Sequence, residues 1–152
     1  MIAKKSSLIL NSFFLLNHQY QFIQPTEAPS VIDVFDQYSI EIDFVLQKVN
    51  DDYFQLFTKI DINNSEKPLP GYRISIEGAC LFSFDKTANL SENDQASMLH
   101  FSGINICVNS LRNIIATVTA NGLFGKYTLP SIDVNQLIAD KNQIIEKQNQ
   151  PK

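Results

Sequence analysis

The sequence predicts an α+β fold: a four-stranded antiparallel sheet, connected as a meander, with a long helix and a C-terminal helix on one face. Apolar and polar residues alternate through several segments of the first 84 residues, and this is the two-residue period of a half-exposed strand. After residue 84 the apolar residues recur at spacings of three and four, as they do in an amphipathic helix. All the strand-like segments precede the helical ones, which is typical of α+β domains.

The strand-like segments span residues 7–23, 38–49, 53–62 and 72–84. The second segment has the clearest alternation, because its even-numbered residues from 40 to 46 are all apolar and most of the odd-numbered ones are polar. A tight turn is expected at Asn50-Asp51-Asp52, so the second and third strands should form a hairpin.

Three helices are expected in the second half of the chain. Ser91 and Asp94 have the spacing of a capping box, which marks the start of a short helix. A helix of about five turns should follow up to Asn121-Gly122, where a left-handed stop is favoured. The last helix should begin near Asp133. The apolar positions of the long helix are Ile104, Cys107, Val108, Leu111, Ile114, Ile115 and Val118.

The bulk composition narrows the classes of function. A chain of 152 residues has the size of one domain, so we expect a single domain over 1–152, with 1–6 and 146–152 flexible. The net charge is −4 and no basic block is longer than Lys4-Lys5, which argues against a nucleic-acid partner. No segment has the roughly 18 consecutive apolar residues of a membrane span, and no cleavage site follows the apolar N-terminal stretch. We therefore expect a cytoplasmic protein with no membrane insertion.

Catalytic, metal and cofactor sites are not indicated by any motif. His18 lies in a strand pattern and His100 in a helix pattern, and neither is part of a recognisable motif. The sequence contains no nucleophile elbow, zinc-protease motif, phosphate-binding loop or dinucleotide fingerprint. Cys80 and Cys107 are far apart and predict two free, buried residues in a reducing compartment. The expectation is a protein that is not an enzyme and has no metal or cofactor.

The connectors between elements are unusually apolar, and two explanations remain open. The side chains could pack on the core or against another copy of the chain, or they could line a groove for an extended, unfolded peptide. The sheet face opposite the helices also carries apolar residues, which predicts self-association. The connector residues concerned are Val31, Ile32, Val34, Phe35, Leu123, Phe124, Tyr127 and Leu129.

Several stretches, in their order and spacing, resemble the SecB protein-export chaperones. "YRISIEGACLFSF" (72–84) is similar to the family's third strand, and "YSIEIDF" (38–44) to the alternating strand after its first loop. "INICVNSLRNIIATVTANG" (104–122) resembles the family's long helix, with Arg112 in the expected place. "LPSIDVNQLI" (129–138) resembles the linker into its last helix. The resemblance covers roughly residues 8 to 145.

This resemblance implies an ATP-independent holdase that assembles as a dimer of dimers, a homotetramer. Such a chaperone binds unfolded preproteins in hydrophobic grooves and keeps them competent for translocation. Ile74, Ile76 and Gly78 match strand positions involved in subunit assembly. The implied client-groove residues are Ile40, Ile42 and Phe44 by position, Phe35, Leu137 and Ile138 by a rougher alignment, and Phe124 and Tyr127 in the connector that covers part of the family's groove.

The sequence departs from the family where the family contacts the translocase motor SecA. The positions aligned with the family's acidic contacts are Gln19, Ile23, Arg73 and Ser75, and none of them is acidic. Delivery to SecA is therefore left open. The alternative is a SecB-like chaperone dedicated to another client, such as the antitoxin of a toxin–antitoxin system. A further alternative is a monomeric α+β domain that is structural or binds a small ligand in a closed pocket.

Overall fold

A four-stranded antiparallel sheet forms the base of the fold in the computed structural model of the protein, which describes residues 1–26 and 34–148. The strands are β1 (Leu8–Ile23), β2 (Ile40–Lys48), β3 (Phe54–Ile62) and β4 (Gly71–Phe84). The α+β class and the four predicted strands are confirmed, with ends that differ from the predicted ones by a residue or two. The predicted connector residues Val31 and Ile32 lie outside the described residues.

The strand order corrects the predicted meander. The order is β1-β4-β3-β2, so β2, β3 and β4 follow one another while β1 lies beside β4 instead of β2. Short turns join β2 to β3 and β3 to β4, but the connection over 24–39 is long enough to carry the chain from one edge of the sheet to the other. The result is a Greek-key order. Alternation sets which face a side chain occupies, but it does not choose the neighbouring strand.

Three described helices follow the sheet in sequence, and the long one packs against its inner face. They are α1 (Glu92–Met98), α2 (Ile104–Thr119) and α3 (Val134–Gln148), and a π-helical turn at Leu99–Gly103 joins α1 to α2. The predicted capping box is present: Asp94 N–H donates to Ser91 Oγ, and the Asp94 carboxylate accepts from the Ser91 N–H. No described helix is long and apolar enough to cross a membrane.

The core lies between the sheet and α2. Apolar side chains of β3 and β4 face one buried side of α2, whose Leu111 and Ile115 have no exposed surface. The fully buried strand residues include Ile60, Ile62, Tyr72, Ile74, Ile76 and Phe82.

Cys80 and Cys107 correct the prediction of two free cysteines. Both are fully buried, as expected, but they are joined as a disulfide with their Cα atoms 6.1 Å apart, within the usual range for a disulfide. Cys80 lies on the inner face of β4 and Cys107 on the buried face of α2, so sheet–helix packing brings together residues that are 27 apart in sequence.

The outer face of the sheet carries an apolar row, as predicted. The strand register places Val45 opposite Phe57, Phe57 opposite Ala79, and Ala79 opposite Phe14, so the row crosses all four strands. Phe14 and Val45 are each 47% exposed. The next row towards the N-terminal end of β2 is polar and consists of Asp43, Lys59, Glu77 and Asn17.

Candidate functional site

Two neighbouring clefts follow β2. The first, which we call the aromatic cleft, has a volume of about 440 Å³ and lies between the start of β2 and the α2–α3 connector. The second, the β2–α3 cleft, has a volume of about 450 Å³ and lies between β2 and α3. Ile40 lines the first cleft and Ile42 lines the second. These two residues are neighbours on one face of β2, so the two clefts lie next to each other along that strand.

Packed rings form the wall of the aromatic cleft. The centroid of the Phe35 ring lies 5.2 Å from that of Tyr127, with the planes at 82°, and 5.5 Å from that of Tyr38. Tyr72 stacks behind Phe35 at 5.6 Å and 30°. Edge-to-face and offset arrangements of this kind are favoured between aromatic rings. The cleft therefore offers a mainly aromatic surface, with Asp36 and Lys126 at its border.

Two tyrosine hydroxyls anchor this wall to the backbone. Tyr38 Oη donates to Pro70 O and accepts from Tyr72 N–H, both at 2.8 Å. Tyr72 Oη donates to Gly125 O at 2.8 Å and accepts from Phe124 N–H at 3.0 Å. A Cβ at Gly71, whose φ is +107°, would lie 2.1 Å from Tyr38 Oη. The residue before Tyr72 therefore has to be glycine for the Tyr38 hydroxyl to reach the backbone.

The connector over 120–133 is held against α2 by polar contacts. Arg112 donates from Nε to Leu129 O at 3.0 Å and from Nη2 to Pro130 O at 2.9 Å. The Tyr127 N–H donates to Thr119 Oγ1 at 2.9 Å. Leu129 and Tyr127 are each only 2% exposed. These contacts place the Tyr127 ring in the cleft wall and account for the apolar residues Tyr127 and Leu129, whereas Leu123 of the same connector is 82% exposed.

A free strand edge borders the β2–α3 cleft. Asn63 N–H donates to Ser39 O, and with the observed register this directs the N–H and C=O groups of Ile40, Ile42 and Phe44 away from β3. Consistent with this, the Phe44 N–H donates to its neighbour's carboxylate, Asp43 Oδ1, at 2.8 Å.

Helix α3 closes the other side of this cleft through Lys141. Lys141 Nζ lies 2.5 Å from Asp43 Oδ1 and 5.9 Å from the centroid of the Phe44 ring. Phe44 is consequently only 7% exposed. Lys59 also lines the cleft, where its hydrogen bond and ion pair with Asp61 raise its pKa. The cleft thus has apolar walls and a rim of both charges.

Most of the predicted groove residues line one of these clefts. Phe35, Ile40 and Tyr127 line the aromatic cleft, whereas Ile42, Phe44 and Leu137 line the β2–α3 cleft. The other two predicted residues line neither cleft. The Phe124 ring packs behind the cleft wall, 5.7 Å from the ring of Phe22, and Ile138 is half-buried against the core.

The predicted assembly residues lie inside the single chain. Ile74 and Ile76 have no exposed surface and face the helices. A Cβ at Gly78 would lie 2.8 Å from the Phe13 ring and 2.9 Å from Leu111 Cδ2, so the glycine lets β1 and α2 approach β4 closely. Their role in assembly stays a prediction, but the side chains of Ile74 and Ile76 are not available at the surface of one chain.

Tyr38 and Lys141 contribute to the clefts and were not identified from the sequence. Tyr38 lies two residues before Ile40, so it faces the same side of the strand as Ile40 and Ile42. Extending the alternation of β2 by two residues towards the N-terminus would have identified it. Lys141 occupies a position four residues after Leu137, on the apolar side of α3, where a long charged side chain can cover an aromatic ring. Within the described ranges 1–26 and 34–148, no group of three or more His, Cys, Asp and Glu side chains could hold a metal ion.

Comparison with solved structures decides the fold family. A SecB-like chaperone of Mycobacterium tuberculosis, solved with a ChAD peptide from the HigA1 antitoxin, matches 84% of this chain and 91% of its own, with a TM-score of 0.57 and 13% identity. The chain has the SecB-like fold. A protein of unknown function from Streptococcus agalactiae matches 82% of this chain and 97% of its own at 10% identity, with a TM-score of 0.43, too low to bear on the fold. No protein-family model and no curated protein matches the sequence.

The SecB-like fold confirms the family resemblance drawn from the sequence. That resemblance rested on two strands (38–44 and 72–84), the long helix (104–122) and the linker into the last helix (129–138), and here the first of these strands lies beside both clefts.

Proposed function

We propose that this SecB-like protein is an ATP-independent chaperone, a holdase, which binds extended segments of unfolded polypeptides in the aromatic cleft and the β2–α3 cleft. The observation that carries the proposal is that both clefts adjoin the same strand, because Ile40 lines one and Ile42, the next residue on that face, lines the other. The clefts therefore lie next to each other along β2, and one strand supplies apolar side chains to both. An extended chain has the same repeat as the strand beside it, so one client segment fits both clefts.

The chemistry of the clefts suits clients of varied sequence. Aromatic and aliphatic walls bind apolar side chains through burial, at about 25 cal/mol per Å² of apolar surface removed from water, with little selectivity between them. Ordering the unfolded client opposes this gain. Binding is therefore expected to be reversible and to depend on contact over several residues, as a holdase requires.

Suppression of aggregation tests the proposed activity. Light scattering of a slowly refolding protein should fall when the chaperone is added at near-stoichiometric amounts, because unfolded segments are held in the clefts. Ile42→Asp, which places a charge in the β2–α3 cleft, should reduce this protection several-fold. Val49→Asp is the matched control, since Val49 follows β2, is 54% exposed and lines neither cleft. Unchanged scattering with the wild-type protein would refute the holdase activity.

The second candidate function is a chaperone of the same fold that is dedicated to a single client. The Mycobacterium tuberculosis chaperone of the same fold was solved with an antitoxin peptide, and the positions aligned with the family's acidic SecA contacts are not acidic here. Both observations favour a chaperone dedicated to one client over delivery of preproteins to SecA for export. A toxin–antitoxin gene pair beside this gene would support the dedicated client, whereas a tight complex with purified SecA would support export.

We further propose that the protein acts in the cytoplasm as a homotetramer. A cytoplasmic holdase meets newly made polypeptides before they fold, and a symmetric assembly multiplies the clefts available to one long client. Disulfides are uncommon in cytosolic proteins, so the redox state of Cys80 and Cys107 in cells bears directly on the proposed location.

A further inference from the structure

Tyr38, Tyr72 and Tyr127 belong to the wall of the aromatic cleft, and the hydroxyl of Tyr127 differs from the other two in its hydrogen bonding. The hydroxyls of Tyr38 and Tyr72 each make two hydrogen bonds to the backbone. The hydroxyl of Tyr127 is shielded from solvent and has no hydrogen-bond partner within the described part of the chain. Tyr127 itself is 2% exposed.

An unpaired hydroxyl in such a position is unusual for a residue with only a packing role. Buried polar groups in folded proteins are nearly always hydrogen-bonded, and leaving one unpaired opposes folding. Phenylalanine would fill the same volume without this penalty. The hydroxyl is therefore best explained by a bond that forms when something occupies the cleft.

The surroundings of the hydroxyl define what that partner has to be. Burial first, and then the neighbouring Tyr38 and Asp36, raise the pKa of Tyr127 to about 12. Tyr127 and both of these neighbours line the aromatic cleft. The group stays protonated at neutral pH, so like any tyrosine hydroxyl it can both donate and accept a hydrogen bond. Its unused O–H donor can be satisfied by an acceptor on a molecule bound in the cleft.

We propose that Tyr127 Oη is a polar anchor that donates a hydrogen bond to a backbone carbonyl of the extended polypeptide bound in the aromatic cleft, an inference that rests on the proposed function. A backbone carbonyl is the acceptor that every client carries at every residue, whatever its sequence. The aromatic walls then bind side chains without selectivity, while the hydroxyl fixes the position of the client's main chain.

The client reaches this hydroxyl when a neighbouring ring moves aside. Phe35 is the ring best placed to move, because it lies on a short 3-10 turn outside the sheet, Phe35–Gln37, and meets the Tyr127 ring edge-on at 5.2 Å. An apolar side chain of the client can take the place of the Phe35 ring, so that the wall stays packed while the hydrogen bond forms.

The test is the single substitution Tyr127→Phe. The affinity of the variant and of the wild type for reduced, carboxymethylated α-lactalbumin, a permanently unfolded protein, is measured by fluorescence anisotropy. The stability of both proteins is measured by urea unfolding. We expect affinity to fall about three- to tenfold, the range of one net hydrogen bond, while the urea midpoint stays equal to that of the wild type or rises. A purely structural role predicts the opposite pattern, a lower midpoint with unchanged affinity.

Other tyrosines supply matched controls. Tyr53→Phe removes a hydroxyl from a 39% exposed residue in the β2–β3 turn and should change neither quantity. Tyr72→Phe removes two backbone hydrogen bonds and should lower the urea midpoint. Equal affinity of wild type and Tyr127→Phe would overturn the anchor but leave the holdase intact, whereas no binding by the wild type would overturn the proposed function itself.

A set of ester-containing peptides identifies the acceptor. In an apolar extended peptide, each amide is replaced in turn by an ester, whose carbonyl is a weaker acceptor. For the wild type, one replacement should weaken binding more than its neighbours do, and this difference should disappear in Tyr127→Phe. If the two proteins give the same profile, the client's backbone carbonyl is not the partner of Tyr127.

Discussion

At the scale of single residues, polar atoms place the aromatic rings. Tyr38 and Tyr72 bridge from the sheet and the preceding turn to backbone groups up to 53 residues away. Arg112 binds two successive carbonyls of the α2–α3 connector. Apolar packing alone has little directional preference, so these hydrogen bonds determine which rings end up in the cleft wall.

Tyr127 also makes the stability of the fold sensitive to alkaline pH. Its pKa is about 12 in the folded chain and about 10 in an unfolded one, so folding favours the protonated form. The resulting stability is complete below pH 10 and is lost as pH rises from 10 to about 12, a loss of about 2 kcal/mol. Circular dichroism at fixed urea should show this loss, and Tyr127→Phe should make it smaller. Identical pH profiles for the two proteins would contradict this cause.

At the scale of secondary-structure elements, α2 and α3 are attached very differently. Helix α2 buries a row of side chains against the sheet and is joined to β4 by the Cys80–Cys107 disulfide. Helix α3 buries Val134, half-buries Leu137 and Ile138, and reaches β2 through the solvent-exposed Asp43–Lys141 pair. Exposed ion pairs contribute about 1 kcal/mol or less. Helix α3, the wall of the β2–α3 cleft opposite β2, is therefore held more weakly than α2.

Reduction of the disulfide should destabilise the sheet–α2 unit. The bond closes a loop of 27 residues, and the loss of chain entropy in the unfolded state predicts a stabilisation of about 3.5 kcal/mol. The difference in the free energy of unfolding, obtained from urea unfolding with and without dithiothreitol, measures this stabilisation. Cys80→Ala/Cys107→Ala should be less stable than the oxidised protein and insensitive to dithiothreitol. Two reactive thiols in the purified, denatured protein without reductant would contradict the disulfide.

At the scale of the whole molecule, the outer face of the sheet carries an apolar row that the helices do not cover. The outer row of Val45, Phe57, Ala79 and Phe14 crosses every strand. Antiparallel sheets more often have a polar face towards solvent, and contiguous exposed apolar residues mark interaction surfaces. Phe14 and Val45, the two ends of this row, are each 47% exposed and are available to another copy of the chain, whereas Ala79, Ile74 and Ile76 have no exposed surface.

Self-association through the outer row has a direct test. Size-exclusion chromatography with light scattering should give about four times 17.2 kDa for the wild type. Phe14→Asp should lower this mass, because it places a charge in the interface. Gln47→Asp is the control on the same face but outside the row. A monomeric wild type would refute self-association, and an unchanged mass for Phe14→Asp would remove the row from the interface.

The sequence predicted the elements well because their causes are local. Alternation identified β2 through Ile40 and Ile42, and the capping box at Ser91 marked the start of α1, since each depends on neighbouring residues. The strand order was missed because the paired residues of β1 and β4, from Ile23↔Gly71 to Leu8↔Phe84, are far apart in the sequence, so that tertiary packing selects the pairing. Of the predicted groove residues, Phe35 and Leu137 lie beside the clefts, whereas the position of Phe124 depends on a ring contact with Phe22 that no local pattern encodes.

By itself, the sequence determined the α+β class, the position of each strand and helix, and an apolar excess in the connectors, because periodicity and capping act over a few residues. Only the tertiary structure decided that β1 lies beside β4, that Cys80 meets Cys107, and that Tyr127 forms a cleft wall with its hydroxyl unpaired. These outcomes depend on which apolar surfaces are buried against each other and on which buried polar groups then form hydrogen bonds. Both are properties of the whole packed chain.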